Sequence, residues 1–298
     1  MSQPILGQIV AAFGRQYLVK LPDGEAIACV PRGKKSEAVC GDQVEIQRTA
    51  AATSDQSTGS QGVIDRILPR TSLLHRSDAF REKLIAANVT QIVIVVASEP
   101  SFSDELLTRC LIAAQDQDLN VLIVLNKCDL AEAAAAARVR LEPYRAIGYR
   151  IVELTALENA APLLPLLQGH QSVLVGQSGM GKSTLINALL PDAQAATREI
   201  STALDSGKHT TTHAKLYRLD AQSSLIDCPG VQAFGLHHLD KTDIAAGFVE
   251  FSPYRGQCRF YNCRHQTEPG CALTEAVKQG KIDARRLQLF QSISGAQR

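Results

Sequence analysis

Residues 172–184 read SVLVGQSGMGKST, and the rest of the chain is organised around them. Ser172–Val175 is a short apolar run of the kind that forms a buried parallel strand. Gly176-Gln177-Ser178-Gly179-Met180-Gly181-Lys182-Ser183 then matches G-x-x-x-x-G-K-[ST] in full, with Thr184 behind it. A helix-compatible stretch (Leu185, Ile186, Ala188, Leu189, Leu190) follows and stops at Pro191. Strand, glycine loop and helix are the context in which this motif cradles phosphate. The glycines let backbone N–H groups turn toward an anion. The helix start adds its positive end. Lys182 can reach the outer phosphates, and Ser183 can offer a hydroxyl to Mg²⁺.

Strand and helix alternate on both sides of this loop. Working outward, strands are expected at Ile92–Ala97, Val121–Leu125, Ile151–Leu154, Lys215–Leu219 and Ser224–Ile226. Helices are expected at 104–115, at 131–147 with a break or kink near Pro143, and at 161–167. Such alternation, from residue 76 onward, predicts a twisted, mostly parallel sheet with helices on both faces. Ligands bind beyond the carboxyl ends of such strands.

Two further motifs stand at strand ends. Asn126-Lys127-Cys128-Asp129 follows the run Val121–Leu125 and matches N-K-x-D. The Asp129 carboxylate can accept from both ring N1–H and the exocyclic amino group of guanine, a donor pair that adenine lacks. Thr155 and Ala156, after the next strand, suit the loop that backs the base. Asp227-Cys228-Pro229-Gly230 ends the run Ser224–Ile226. Asp227 fits the Mg²⁺ shell and the Gly230 N–H fits the γ-phosphate. Thr212, with Thr211 as the alternative, could complete the Mg²⁺ shell from the stretch Lys208–Thr212. Together these motifs describe a GTP site whose Mg²⁺ ligands are Ser183, Thr212 and Asp227.

Their order is unusual. N-K-x-D precedes the P-loop and D-x-P-G comes last, whereas in ordinary GTPases the P-loop is first. A compact domain cut at a surface loop and rejoined at neighbouring termini keeps its sheet. A circularly permuted GTPase core is therefore expected.

Residues 5–70 hold five short Val/Ile-rich runs separated by turn residues, which suits a five-stranded oligonucleotide-binding-type barrel. Ala50–Ser60 reads as a polar loop. Near the C-terminus, Cys258, Cys263, His265 and Cys271 form a Cys₃His set with no open position, so one structural Zn²⁺ per chain is expected. The expected organisation is multi-domain: a barrel (1–75), the permuted α/β P-loop core (76–240) and a loop-rich, helical zinc segment (241–298).

The chain has 298 residues and a net charge of +1. That total argues against a generic nucleic-acid binder, but residues 250–298 hold 8 basic and 4 acidic side chains. A polyanion would meet this segment first. Arg285 and Arg286 are expected to touch phosphate there. No apolar run is long enough to span a bilayer. MSQPILGQIV lacks the pattern of a signal peptide, so a cytoplasmic location is expected.

Barrel, permuted core (Asn126–Asp129, Gly176–Thr184, Lys208–Thr212, Asp227–Gly230) and Cys/His knot together resemble the RsgA (YjeQ) family of bacterial small-ribosomal-subunit biogenesis GTPases. The resemblance implies late maturation of that subunit, contact with its rRNA, and GTP hydrolysis to GDP and phosphate stimulated by the subunit. An rRNA-binding assembly factor that keeps GTP as a structural ligand is the alternative. A monomer without membrane contact is expected. Where many GTPases place a water-orienting glutamine, this chain has Val231. His209 is the favoured replacement, acting with Lys182 in catalysis, and Gln232 is a weaker one.

Overall fold

The computed structural model describes residues 4–33, 37–49, 62–77, 82–190, 214–228 and 236–296. The expected N-terminal strands are present as β1 (Ile5–Phe13), β2 (Gln16–Lys20), β3 (Ala26–Pro31), β4 (Gln43–Arg48) and β5 (Gly62–Ile67). They pair in the order β1-β2-β3-β5-β4, and β4 returns to β1, so the barrel closes. Only β3–β5 is parallel. Alternate side chains fill the interior, among them Ile9, Val19, Ile27, Val44, Ile46 and Ile64. Closure leaves the small sheet without free edges.

The sequence pattern predicts strand–helix alternation from residue 76. The structure places a hairpin there first, β6 (Leu73–Ser77) and β7 (Glu82–Ala87). Runs this short carry no clear period. Alternation then proceeds through β8 (Gln91–Ala97), α1 (Asp104–Asp116), β9 (Asn120–Asn126), α2 (Ala131–Ala146) and β10 (Arg150–Glu153). A 3₁₀ turn (Ala161–Leu163) runs into α3 (Leu164–Leu167). β11 (Gln171–Val175), α4 (Lys182–Leu189), β12 (Lys215–Arg218) and β13 (Ser224–Asp227) complete the layer. α2 is one unbroken helix that includes Pro143 near its C-terminal end, so the expected break is not seen.

The sheet order is β10-β9-β8-β11-β13-β12. Every neighbouring pair is parallel except β12–β13. β8 lies centrally and is buried at every position, as a strand covered on both faces must be. β1 reaches across to β12, with Ala11 opposite Lys215, so barrel and core share one hydrogen-bonded sheet.

The C-terminal residues form α5 (Lys241–Ala246), a 3₁₀ segment (Val249–Tyr254), α6 (Ala272–Lys278) and α7 (Ala284–Gly295). Phe248 stacks on Phe251 at 4.9 Å, and Phe290 meets both edge-on. These rings belong to the same core as α1. Gly247 lies directly on α1, where a Cβ would stand 2.6 Å from Ile112 Cγ1.

One cation of the basic tail is not at the surface that its composition suggests. Arg286 is 1% exposed. Its Nε–H donates to Glu250 Oε1 at 2.6 Å and its Nη1–H to Thr108 Oγ1 at 3.2 Å. Its guanidinium lies 4.5 Å from the Phe248 ring centre and 5.1 Å from that of Tyr144. Arg285 pairs with Asp104 at the start of α1. The expectation of phosphate contact is therefore corrected for Arg286, which is buried against Glu250; Arg285 pairs with Asp104 but its side chain stays 49% exposed. Sequence composition cannot tell a charge that faces solvent from one that faces a buried partner.

Candidate functional site

β8, β9, β11 and β13 end side by side, and the loops beyond them carry the expected motifs. Gly176 has φ +147°, and a Cβ there would fall 2.2 Å from Val95 O on β8. Gly181, at φ +90°, packs so close to Asn126 that a Cβ would lie 2.2 Å from its Nδ2. The motif glycines are thus required by close approach as well as by the turn.

The Lys182 ammonium donates to Gly176 O at 2.6 Å and to Gln177 O at 2.8 Å. An ammonium has three donors, so one remains for a phosphate oxygen. Burial lowers the Lys182 pKa, with nearby Asp227 opposing the shift. Burial also raises that of Asp227, opposed by Lys182 and Lys215. Each group is thus short of its natural solvation, a condition that a bound Mg²⁺–phosphate unit would relieve. Ser183 stands exposed in the first turn of α4, where its hydroxyl can join such a unit.

Asn126 is 2% exposed and ties two loops together. Its Nδ2–H donates to Met180 O in the P-loop, and its Oδ1 accepts from the Ala156 N–H, both at 2.9 Å. Lys127 adopts φ +62°, and its Nζ donates to Glu99 O at 2.7 Å. The Cys128 N–H donates to Leu154 O at 3.3 Å and fixes the turn. Partial burial raises the Cys128 thiol pKa, which keeps it from being a ready nucleophile. Asp129 is exposed, so its carboxylate is open to a ligand. The Thr155 hydroxyl donates to Asp129 Oδ1 at 3.2 Å and accepts from the Asp129 N–H at 3.1 Å. Thr155 therefore aims the carboxylate, a role that the sequence reading of it as backing for the base did not foresee.

His209, Thr211, Thr212, Gly230, Val231 and Gln232 lie outside the described residues. Of the other histidines, His170 Nδ1 is 3.1 Å from Thr90 Oγ1. His75 and His238 meet edge-on at 4.6 Å, with His238 Nε2 3.8 Å from Asp116. None faces the P-loop motifs through a described contact.

The Cys258, Cys263, His265 and Cys271 donor atoms all lie within 4.8 Å of one another. His265 Nδ1 is 3.5, 3.7 and 3.4 Å from the three Sγ atoms in chain order. Tetrahedral Zn²⁺, with bonds of about 2.3 Å to sulfur and about 2.0–2.1 Å to nitrogen, requires S···N separations of about 3.5 Å. The donor set fits the ion. His265 reaches this position at φ +58°, and the Ala272 N–H donates to Cys258 Sγ at 3.3 Å.

One segment was not legible as functional. Residues 98–103 join β8 to α1 and line the P-loop. Ser98 Oγ donates to Lys127 O at 2.8 Å, and Pro100 packs against Gly179. The Ser103 N–H donates to the Gln177 side chain at 2.7 Å. No motif marks it, because its contacts are mostly backbone.

A family model described as RsgA GTPase matches residues 67–237. The small ribosomal subunit biogenesis GTPase RsgA of Nitrosospira multiformis is 56% identical over 292 residues, covering 98% of this chain and 91% of that protein. The protein of the same name from Nitrosomonas europaea is 51% identical, covering 97% and 90%. Among solved structures, YjeQ from Thermotoga maritima superposes with a TM-score of 0.71 at 28% identity, covering 99% of this chain and 98% of the other. YloQ, described as a circularly permuted GTPase, gives 0.70 at 25% identity, covering 99% and 95%.

Proposed function

The chain belongs to the RsgA GTPase family, and from that premise we propose that it hydrolyses GTP as a timing step in late maturation of the small ribosomal subunit, which stimulates the reaction. The observation that carries this reading is the clamp on Asp129: a guanine-reading carboxylate held by Thr155 and braced through Asn126 to the P-loop. Asn126 thereby ties the loop that holds Thr155 and Ala156 to the P-loop, as a site for one whole nucleotide requires.

In this reading the backbone amides of Gly176–Ser183 and the remaining Lys182 donor hold the phosphates. Ser183, Thr212 and Asp227 would hold Mg²⁺, which would supply charge neutralisation to the bound phosphates. Gly230 meets the γ-phosphate, and His209 accepts a hydrogen bond from the attacking water. The division into barrel (1–75), GTPase core (76–240) and zinc segment (241–298) is proposed with it, as are monomeric behaviour and cytoplasmic work. Among the described residues, no helix is long and apolar enough to cross a membrane.

The rRNA-facing surface we assign to the zinc loop rather than to α7. Arg255, Arg259 and Arg264 are exposed there. Phe260 and Tyr261 beside them are 42% and 102% exposed. Exposed aromatics interleaved with arginines suit unpaired bases.

The test is phosphate release with and without purified small subunits. Slow intrinsic turnover and strong stimulation are expected. His209→Ala should lower the stimulated rate by roughly 10²–10⁴-fold and leave the unstimulated rate little changed. A wild-type rate indifferent to subunits would favour GTP as a structural ligand only.

A further inference from the structure

The strap between β8 and α1 touches both the guanine-reading motif and the P-loop, and the first residue of α1 touches the C-terminal segment. Glu99 O accepts from Lys127 of the guanine-reading motif. Ser103, the N-cap of α1, donates its N–H to the Gln177 side chain of the P-loop. Asp104, next in the chain and 5% exposed, accepts from Arg140 of α2 at 2.8 Å and from Arg285 of α7. Arg140 also donates to Phe102 O at 2.6 Å and to Ser101 Oγ, and its guanidinium lies 4.0 Å over the Phe102 ring. One helical start is therefore held by the P-loop on one residue and by the C-terminal segment on the next.

The hydrogen bonding at Asp104 is lopsided. Both arginines use Oδ2, while Oδ1 is buried without a hydrogen-bond partner. A buried carboxylate with a spare acceptor sits in an under-satisfied network, where the loss of either arginine is felt by the other groups.

We propose that Arg285 is a positioning residue for the GTPase site: through Asp104, Ser103 and Gln177 it couples the seating of the C-terminal zinc segment to guanine-nucleotide affinity. The inference rests on the assignment of Gly176–Ser183 as the nucleotide site. Coupling of this kind is reciprocal, so nucleotide must tighten α7 as much as α7 tightens nucleotide. A partner that grips the zinc segment would then alter nucleotide retention from the far side of α1.

The experiment measures the affinity of the full chain, zinc-loaded, for a fluorescent GDP analogue. Wild type, Arg285→Ala, Arg285→Lys, Gln177→Ala and the Arg285→Ala/Gln177→Ala double variant are compared. Arg285→Ala should weaken binding about fivefold or more, the lower end of ordinary coupling, and Arg285→Lys should retain most of it. The double variant should be no weaker than Gln177→Ala alone, because the path is already cut. Unchanged affinity in Arg285→Ala, or losses that multiply in the double variant, would overturn the coupling while leaving the nucleotide site in place. A wild type that does not bind the analogue would remove both. Should Arg285→Ala fold poorly, hydrogen exchange of the wild type decides: GDP should protect residues 284–287, and equal exchange with and without GDP refutes the proposal.

Discussion

Arg286→Ala tests whether the C-terminal charges are structural. The side chains of Arg286 and Glu250 are 2% and 6% exposed, and they meet at 2.6 Å. Truncating the arginine leaves Glu250 as a buried, unpaired charge, which costs about 3–5 kcal/mol. A solvated arginine would lose no more than about 1 kcal/mol. The two aromatic faces under the guanidinium each add about 0.5–2 kcal/mol, overlapping with the same loss rather than adding to it. For core and C-terminal segment unfolding together as a unit of about 150–250 residues, the expected fall in Tm is about 6–20 °C. Because barrel and core need not unfold together, unfolding should be followed by protease sensitivity of residues 241–296, with hydrogen exchange of the barrel as reference. Arg286→Met/Glu250→Leu should recover most of the loss, since a buried pair can be replaced by apolar groups at little cost. A loss below about 1 kcal/mol for Arg286→Ala would refute the reasoning. If the reasoning holds, weakened subunit binding by an Arg286 variant reports an unseated C-terminal segment, not a missing phosphate contact.

Base choice and metal give two further tests. Asp129→Asn should weaken GTP binding and improve binding of xanthosine nucleotides, whose polarity at the reading edge is reversed; competition binding of GTP against XTP checks this, and an unchanged preference would remove Asp129 from guanine recognition. Chelating zinc should expose the loop at 255–271 to protease while the barrel stays protected, because metal binding is folding energy for so small a segment; metal analysis of protein purified without chelator should find one Zn²⁺ per chain, and none would overturn the site.

The motif-bearing loops were legible because their chemistry needs fixed residue types at fixed spacing, and because strands such as Val121–Leu125 have an unambiguous apolar signature. The barrel was legible from short Val/Ile-rich runs set off by turn residues. What the chain order hid was lateral. Nothing in the sequence places Thr155 beside Asp129, or joins Asn126 to both Met180 and Ala156, because these contacts cross 26, 54 and 30 positions. The misread Arg286 shows the same limit. Arg286 follows the sequence pattern of a solvated helix face, and only the position of Glu250, 36 residues away, makes it a core residue.

The packing of α1 bears on how the chain is made. Its apolar face, including Leu107, Leu111 and Ile112, belongs to a core completed by Ile244, Phe248 and Phe290. Synthesis at roughly 5–20 residues per second puts about 10–30 s between the emergence of α1 and that of α7. β13, which separates β11 from β12, also arrives late, so the P-loop strand is made before one of its two neighbours exists. The barrel, whose contacts span short separations, can close long before either event. Permutation thus puts the P-loop and Asp227 late in synthesis, after a barrel whose own strands are already made.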